Sequence, residues 1–132
     1  MLNLVPSDRV VVTTTTDNND AGIVDGNLSH DISWLIANQG ADGEISLREA
    51  IIAANNTANV GGPDEISFNI STGDAGYVDP DATPGNGDEY WVIAPTSHLG
   101  DITDAVILDA TTQAGYAGDP VIVLDGSLAA GA

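Results

Sequence analysis

The chain has 132 residues, room for one domain around a single modest core. Its 20 acidic residues against 2 basic ones leave a net charge of −18, which makes nucleic acid and anionic membrane surfaces poor partners. The 42% apolar content is too high for a disordered acidic tail, yet no run nears the ~18 residues of a membrane span, and the lack of Cys removes disulfides and thiolate metal sites.

Asp far outnumbers Glu, and Lys is absent. This mix suits short β-branched strands joined by Asp/Asn/Gly turns. The scarcity of Lys, Cys and Met is also common in secreted bacterial proteins, so the expected location is extracellular or at the cell surface. Residues 1–6 show neither a basic start nor a long apolar stretch, so any export signal is expected to lie elsewhere or to have been removed.

The β-branched run Arg9-Val10-Val11-Val12-Thr13-Thr14-Thr15-Thr16 reads as a strand, stopped by turn chemistry at Asp17-Asn18-Asn19-Asp20-Ala21-Gly22. Residues 29–39 read as an insertion, with Ile32, Leu35 and Ile36 at helical spacing. The clearest local signal covers 46–55. Ser46 is an N-cap, Glu49 three residues on completes a capping box, and Leu47, Ala50, Ile51 and Ala54 form one apolar stripe. A helix this short is marginal alone, so the stripe must be packed on something.

Glu65-Ile66-Ser67-Phe68 alternates as a strand does, and Tyr90-Trp91-Val92-Ile93 is the next candidate. Residues 71–89 between them, rich in Gly, Asp and Pro, read as a long loop insertion of the kind that is functional or mobile. Val106-Ile107-Leu108-Asp109-Ala110 then recurs 16 residues later as Ile122-Val123-Leu124-Asp125-Gly126. The repeat points to stacked β coils, although an irregular sandwich would look similar, and the spacing leaves open whether the copies stack or occupy different faces.

The order Thr13-Thr14-Thr15-x-Asp17, then Ile45-Ser46-Leu47-Arg48-Glu49-Ala50-Ile51, then Thr111-Thr112-Gln113 and Leu124-Asp125-Gly126-Ser127 resembles the Cys-Ser-Leu-Arg-Glu-Ala domain. That domain is the N-terminal capping segment of large bacterial extracellular right-handed parallel β-helix proteins. The resemblance implies a mostly β fold over residues 1–132: the start of a right-handed parallel β-helix, a β solenoid, closed by a short amphipathic α-helix. Ser46, Leu47, Arg48, Glu49 and Ile51 would form the structural cap. Three departures stand out: Ile45 replaces the family's Cys, Ala110 replaces a Gly, and Ala114 replaces a Pro.

Besides the pair Asp101 and Asp104, carboxylates cluster at Asp17, Asp20 and Asp25 and again at Asp74, Asp79, Asp81, Asp88 and Glu89; Asp17, Asp20, Asp79, Asp81 and Asp88 are the candidate metal ligands, and Ca2+ is the cofactor such oxygens would take. Neither cluster meets the EF-hand pattern, since Ala21 and Pro84 fall where a ligand and a Gly belong. Solvated turn residues are the competing reading. Catalysis has weaker footing. A polyuronate lyase needs cations, and only Arg9 and Arg48 are present. Glycoside hydrolysis needs two carboxylates at a set separation, which nothing here selects, and His30 and His98 belong to no triad. Trp34, Tyr77, Tyr90 and Trp91 could stack on a carbohydrate, or simply fill a core.

The expectation is a non-enzymatic structural module of an extracellular or cell-surface prokaryotic protein, acting in adhesion or in head-to-tail self-assembly into fibres. Its partner would be a second copy meeting an open β-helix end, or the rest of a longer chain. The alternative is the leading segment of a carbohydrate-active β-helix enzyme, glycosidase or lyase, with its active site downstream.

Overall fold

A computed structural model describes residues 8–129. Residues 1–6, read above for an export signal, lie outside the described part. Strand β1 (Arg9–Val12) is followed by helices α1 (Ile32–Ala37) and α2 (Leu47–Asn56). Strands β2 (Asp64–Phe68), β3 (Tyr77–Val78), β4 (Tyr90–Ile93), β5 (Val106–Asp109) and β6 (Ile122–Leu124) complete the order. A 3-10 turn follows each of the last two strands.

The strands form two three-stranded sheets, β1–β2–β5 and β3–β4–β6. This corrects the expectation of a parallel β-helix. Among the described residues there is no closed or solenoid sheet, and the second sheet contains an antiparallel pair, β3 with β4. The remaining pairs, β1–β2, β2–β5 and β4–β6, are parallel. The two repeat copies do not pair with each other. β5 joins the first sheet beside β2, and β6 joins the second beside β4. What recurs is therefore a local unit, a short strand ended by an Asp whose carboxylate caps the next turn. Asp109 accepts the Thr111 amide at 3.0 Å and Asp125 the Ser127 amide at 2.9 Å.

Helix α2 forms where its local signals place it. The Ser46 hydroxyl accepts the Glu49 amide at 3.1 Å, and the Glu49 carboxylate accepts the Ser46 amide at 3.0 Å. Such a cap contributes about 1 kcal/mol. Leu47, Ala50, Ile51 and Ala54 are buried on one stripe, and the helix packs against β1, β2 and α1. Each fully buried aliphatic side chain contributes about 1.5–3 kcal/mol. The 29–39 insertion carries α1, started by Asp31, which accepts the Trp34 amide at 2.8 Å. Its buried Ile32 and Leu35 lie against α2, and Thr57 accepts the Ile32 amide at 2.9 Å.

The core runs between the sheets and beneath the helices. In-register parallel strands place paired residues on the same face, so Val10, Ile66 and Leu108 form one row across the first sheet. Val10 and Ile66 are fully buried, whereas Leu108 is 52% exposed. In the second sheet Ile93 is 2% exposed and its partner Leu124 is 53% exposed. The helices thus close the core on the β1 side, while on the β5 and β6 side its apolar rows end uncovered among the described residues.

Candidate functional site

The loop over residues 71–89 is fixed at both ends. At its start Asp74 receives the Thr14 hydroxyl at 3.0 Å, the Thr15 amide at 3.1 Å, the Thr15 hydroxyl, and the Gly76 amide at 2.8 Å. The Thr run that reads as strand from its β-branching is here a set of hydroxyl donors. Beyond it, Tyr77 and Val78 pair antiparallel with Trp91 and Tyr90, so the segment expected to be all loop contains β3. Burial raises the Asp74 pKa, but these donors outweigh it and hold the carboxyl below its ordinary value.

The far part of the loop folds around carboxylates. Asp81 accepts the Thr83 amide at 2.9 Å and the Asn86 side-chain amide at 2.9 Å, and Asp79 accepts the Thr83 amide at 3.2 Å. One oxygen each from Asp79, Asp81 and Asp88 lies within 4.8 Å of the others. This group could hold a metal ion. Its strain is electrostatic: desolvation first, then the neighbouring charges of Asp81, Asp79 and Glu89, push the Asp88 carboxyl up. A divalent cation would remove that repulsion, and carboxylate oxygens in a loop are hard-cation ligands. Glu89 sits in a nest of amides from Gly85, Asn86 and Gly87. Backbone donors, its own amide first and then those of the nest, hold Glu89 below its ordinary value, so it stays ionised.

Beside this acidic turn lies a cavity of about 330 Å3, lined by Ile70, Tyr77, Pro84, Glu89, Trp91 and Gly115 among others. Trp91 is buried, its indole N–H donating to the Ser71 carbonyl at 3.0 Å. Tyr77 lies 5.2 Å from Trp91 between ring centroids, tilted by 53°.

The other candidate ligands are placed elsewhere. Asp17 is occupied by Arg48 and by the Thr96 amide at 2.9 Å. Asp20 accepts the Asp42 amide at 3.0 Å and the Asn18 side-chain amide at 3.2 Å. Neither joins Asp79, Asp81 and Asp88. Both residues instead hold the turn against the start of α2, where Ala21 donates to Glu49 at 3.1 Å and Ser46 to the Asn18 carbonyl at 2.7 Å. Of the aromatic residues, Trp34 stacks on His30 at 3.9 Å, apart from the cavity, and Tyr90 lines a separate shallow groove with Asp88 and Asp119. His98 accepts from Arg48 through its carbonyl at 2.8 Å, and its Nδ1 accepts the Gly100 amide at 3.0 Å, both away from the cavity.

Two anchoring residues escaped the sequence reading. Asp74 stood as one more carboxylate of an acidic segment, and Gln113 only as part of a motif. Gln113 is buried, and its side chain completes the backbone of Ile70, accepting from its amide at 2.8 Å and donating to its carbonyl at 2.9 Å. No protein-family model matches the chain, and neither the curated proteins nor the solved structures searched give a match. Among the described residues no helix is long and apolar enough to cross a membrane.

Proposed function

We propose that the chain is a non-enzymatic structural module of an extracellular or cell-surface assembly, which associates by adding strands at the edges of β5 and β6 that are unpaired among the described residues. The observation that carries this reading is the pair of inward-facing leucines. Leu108 and Leu124 continue rows whose earlier members are buried, yet each is about half exposed. An uncovered apolar row beside an unpaired strand edge is a template for strand addition. Backbone bonds would supply affinity and the leucines burial. The partner is a second copy presenting the same edge, since helices pack against β1 on the opposite side of the first sheet.

A charge of −18 on each copy opposes such association. Ca2+ is the metal we assign to Asp79, Asp81 and Asp88: a hard cation suits three carboxylates and the carbonyls of a loop. Its binding would also lower the repulsion between copies. The test is sedimentation equilibrium over a dilution series, with calcium and with chelator. A concentration-dependent dimer in calcium, abolished in a Leu108→Asp, Leu124→Asp double variant of unchanged circular dichroism, is the expected result. A strict monomer at the highest concentration with calcium present would refute the reading.

A further inference from the structure

The turn that carries Asp81 and Asp88 holds a second reactive element, Asn86-Gly87, and Asn86 is the one asparagine of the chain followed by glycine. Both residues are exposed, and nothing lies within 4 Å of the position a Gly87 Cβ would take. The Gly87 nitrogen is therefore open to reaction, whereas every other asparagine precedes a residue whose side chain crowds that atom. The Gly87 amide belongs to no helix or strand and donates to the Glu89 side chain at 2.9 Å. The Asn86 side chain folds back over it: Oδ1 accepts the Asp88 amide at 3.3 Å, the turn an asparagine closes on its own backbone. That bond brings the side-chain acyl carbon toward the Gly87 nitrogen, and the Asp88 N–H stands where negative charge would develop on attack. The leaving nitrogen, Nδ2, lies on Asp81 Oδ2 at 2.9 Å.

The geometry points to Asn86-Gly87 as a self-modification site that turns the Asn86 amide into a carboxylate beside Asp79, Asp81 and Asp88. Solvent hydroxide takes the Gly87 amide proton, and the nitrogen attacks Asn86 Cγ. The Cγ–Nδ2 bond breaks, Nδ2 takes a proton from water and leaves as ammonia, and a succinimide joins the two residues. Water then opens the ring at either carbonyl, leaving aspartate or isoaspartate at position 86. The product has lost the donor that Asp81 accepted and adds a like charge within its reach, a repulsion that a divalent cation relieves. That last consequence rests on the calcium reading above; the modification itself does not.

The test ages the whole chain in calcium-free, mildly alkaline buffer, folded and in urea, and reads it by peptide mass spectrometry. Position 86 of the folded chain is expected to convert at least about tenfold faster than any other asparagine, with isoaspartate and aspartate both appearing. Faster conversion at another asparagine, aspartate alone, or an intact position 86 while the urea-unfolded chain converts would each overturn the inference. Asn86→Gln, whose longer side chain closes the ring less readily, should hold its amide over the same period, and its loss of ammonia at the unaltered rate would count equally against the inference. The calcium consequence has its own readout. An Asn86→Asp chain should bind calcium at least about tenfold more tightly than the unaltered one by calorimetry. Equal affinities would remove the coupling to the three carboxylates, whereas no binding by either chain would refute the calcium reading and leave the mass result to stand.

Discussion

Arg48 grips Asp17 through two parallel bonds, Nε to Oδ1 at 2.8 Å and Nη2 to Oδ2 at 3.0 Å, with side chains only 17% and 8% exposed. The same guanidinium donates to the carbonyls of Ser97 and His98 at 3.2 and 2.8 Å. One side chain on α2 thus ties together the turn after β1 and the segment after β4. Arg48→Met would leave a largely buried carboxylate without its counter-charge, at a cost of about 3–5 kcal/mol. Urea unfolding measures this directly. Adding Asp17→Asn to that variant should recover part of the loss, and a loss under about 1 kcal/mol would place the pair with ordinary surface bridges.

Stability should peak in mildly acidic solution. Burial raises Asp17 and Asp74, but Arg48 and Thr96 at the first, and Thr15 and Gly76 at the second, outweigh it and hold both below 3.8. Their stabilisation is present above that value and lost as pH falls through the lowered folded values. Glu49 and Asp64 behave oppositely. Burial dominates and raises them above 4.5 and 3.8, so they favour the folded state below those values, and that contribution is lost as pH rises through the raised folded ones. Repulsion at −18 adds to the decline toward neutrality. Thermal melts across the acid and neutral range should therefore give a maximum between the loss of the lowered carboxylates at the acid end and the ionisation of the raised ones. A melting temperature climbing steadily to neutrality would contradict the assignment, and Glu49→Gln should flatten the upper flank.

Calcium should stabilise the chain through Asp79, Asp81 and Asp88. At a hundredfold excess over its dissociation constant a ligand specific to the folded state contributes about 2.7 kcal/mol. Calorimetry with calcium, with magnesium and with chelator reads this, and an Asp81→Asn, Asp88→Asn variant should lose the response. A transition indifferent to all three additions would remove the metal from the account.

The legibility of this fold divides along sequence distance. Ser46 and Glu49 stand three residues apart, so their mutual capping could be read directly, as could the helical spacing of Ile32, Leu35 and Ile36. The repeat was legible as chemistry: Asp109 and Asp125 do the same work at the ends of β5 and β6. Its long-range meaning was not, because nothing in three apolar residues selects β2 or β4 as a neighbour over the other copy. That ambiguity, together with the family resemblance, led to the β-helix expectation that the two sheets overturn. Tyr77 and Val78 form too short a strand to show a period. Asp79, Asp81 and Asp88 were recognisable by residue type, but their approach depends on a turn held by Thr83 and Asn86. Gln113 meets Ile70 across 43 residues and announces itself by no local pattern.

Gly76 is required for lack of space, not for an unusual φ. A Cβ there would lie 2.5 Å from the Val92 carbonyl oxygen and would also strike the Thr15 side chain. The Val92 amide donates to the Gly76 carbonyl at 2.8 Å, so the backbones cannot separate without breaking that bond. Gly76→Ala should cost at least about 1–3 kcal/mol. Gly73→Ala is the control, since its nearest neighbour, the Ser71 hydroxyl, stands 3.5 Å away. Equal melting temperatures for the two variants would mean that the β3–β4 approach yields easily.

The spending of both cations on carboxylates has a consequence for degradation. Trypsin-like proteases cut after Lys or Arg, and the chain offers them Arg9 and Arg48 alone. Arg48 lies within α2, clasped by Asp17 and by two carbonyls, and the bond after Arg9 lies within β1 beside the fully buried Val10, so the folded protein holds both scissile positions in hydrogen-bonded structure. A chain so poor in recognition points would resist trypsin-like peptidases better than a lysine-rich one, and reagents aimed at lysine amines would find no side chain on it to modify.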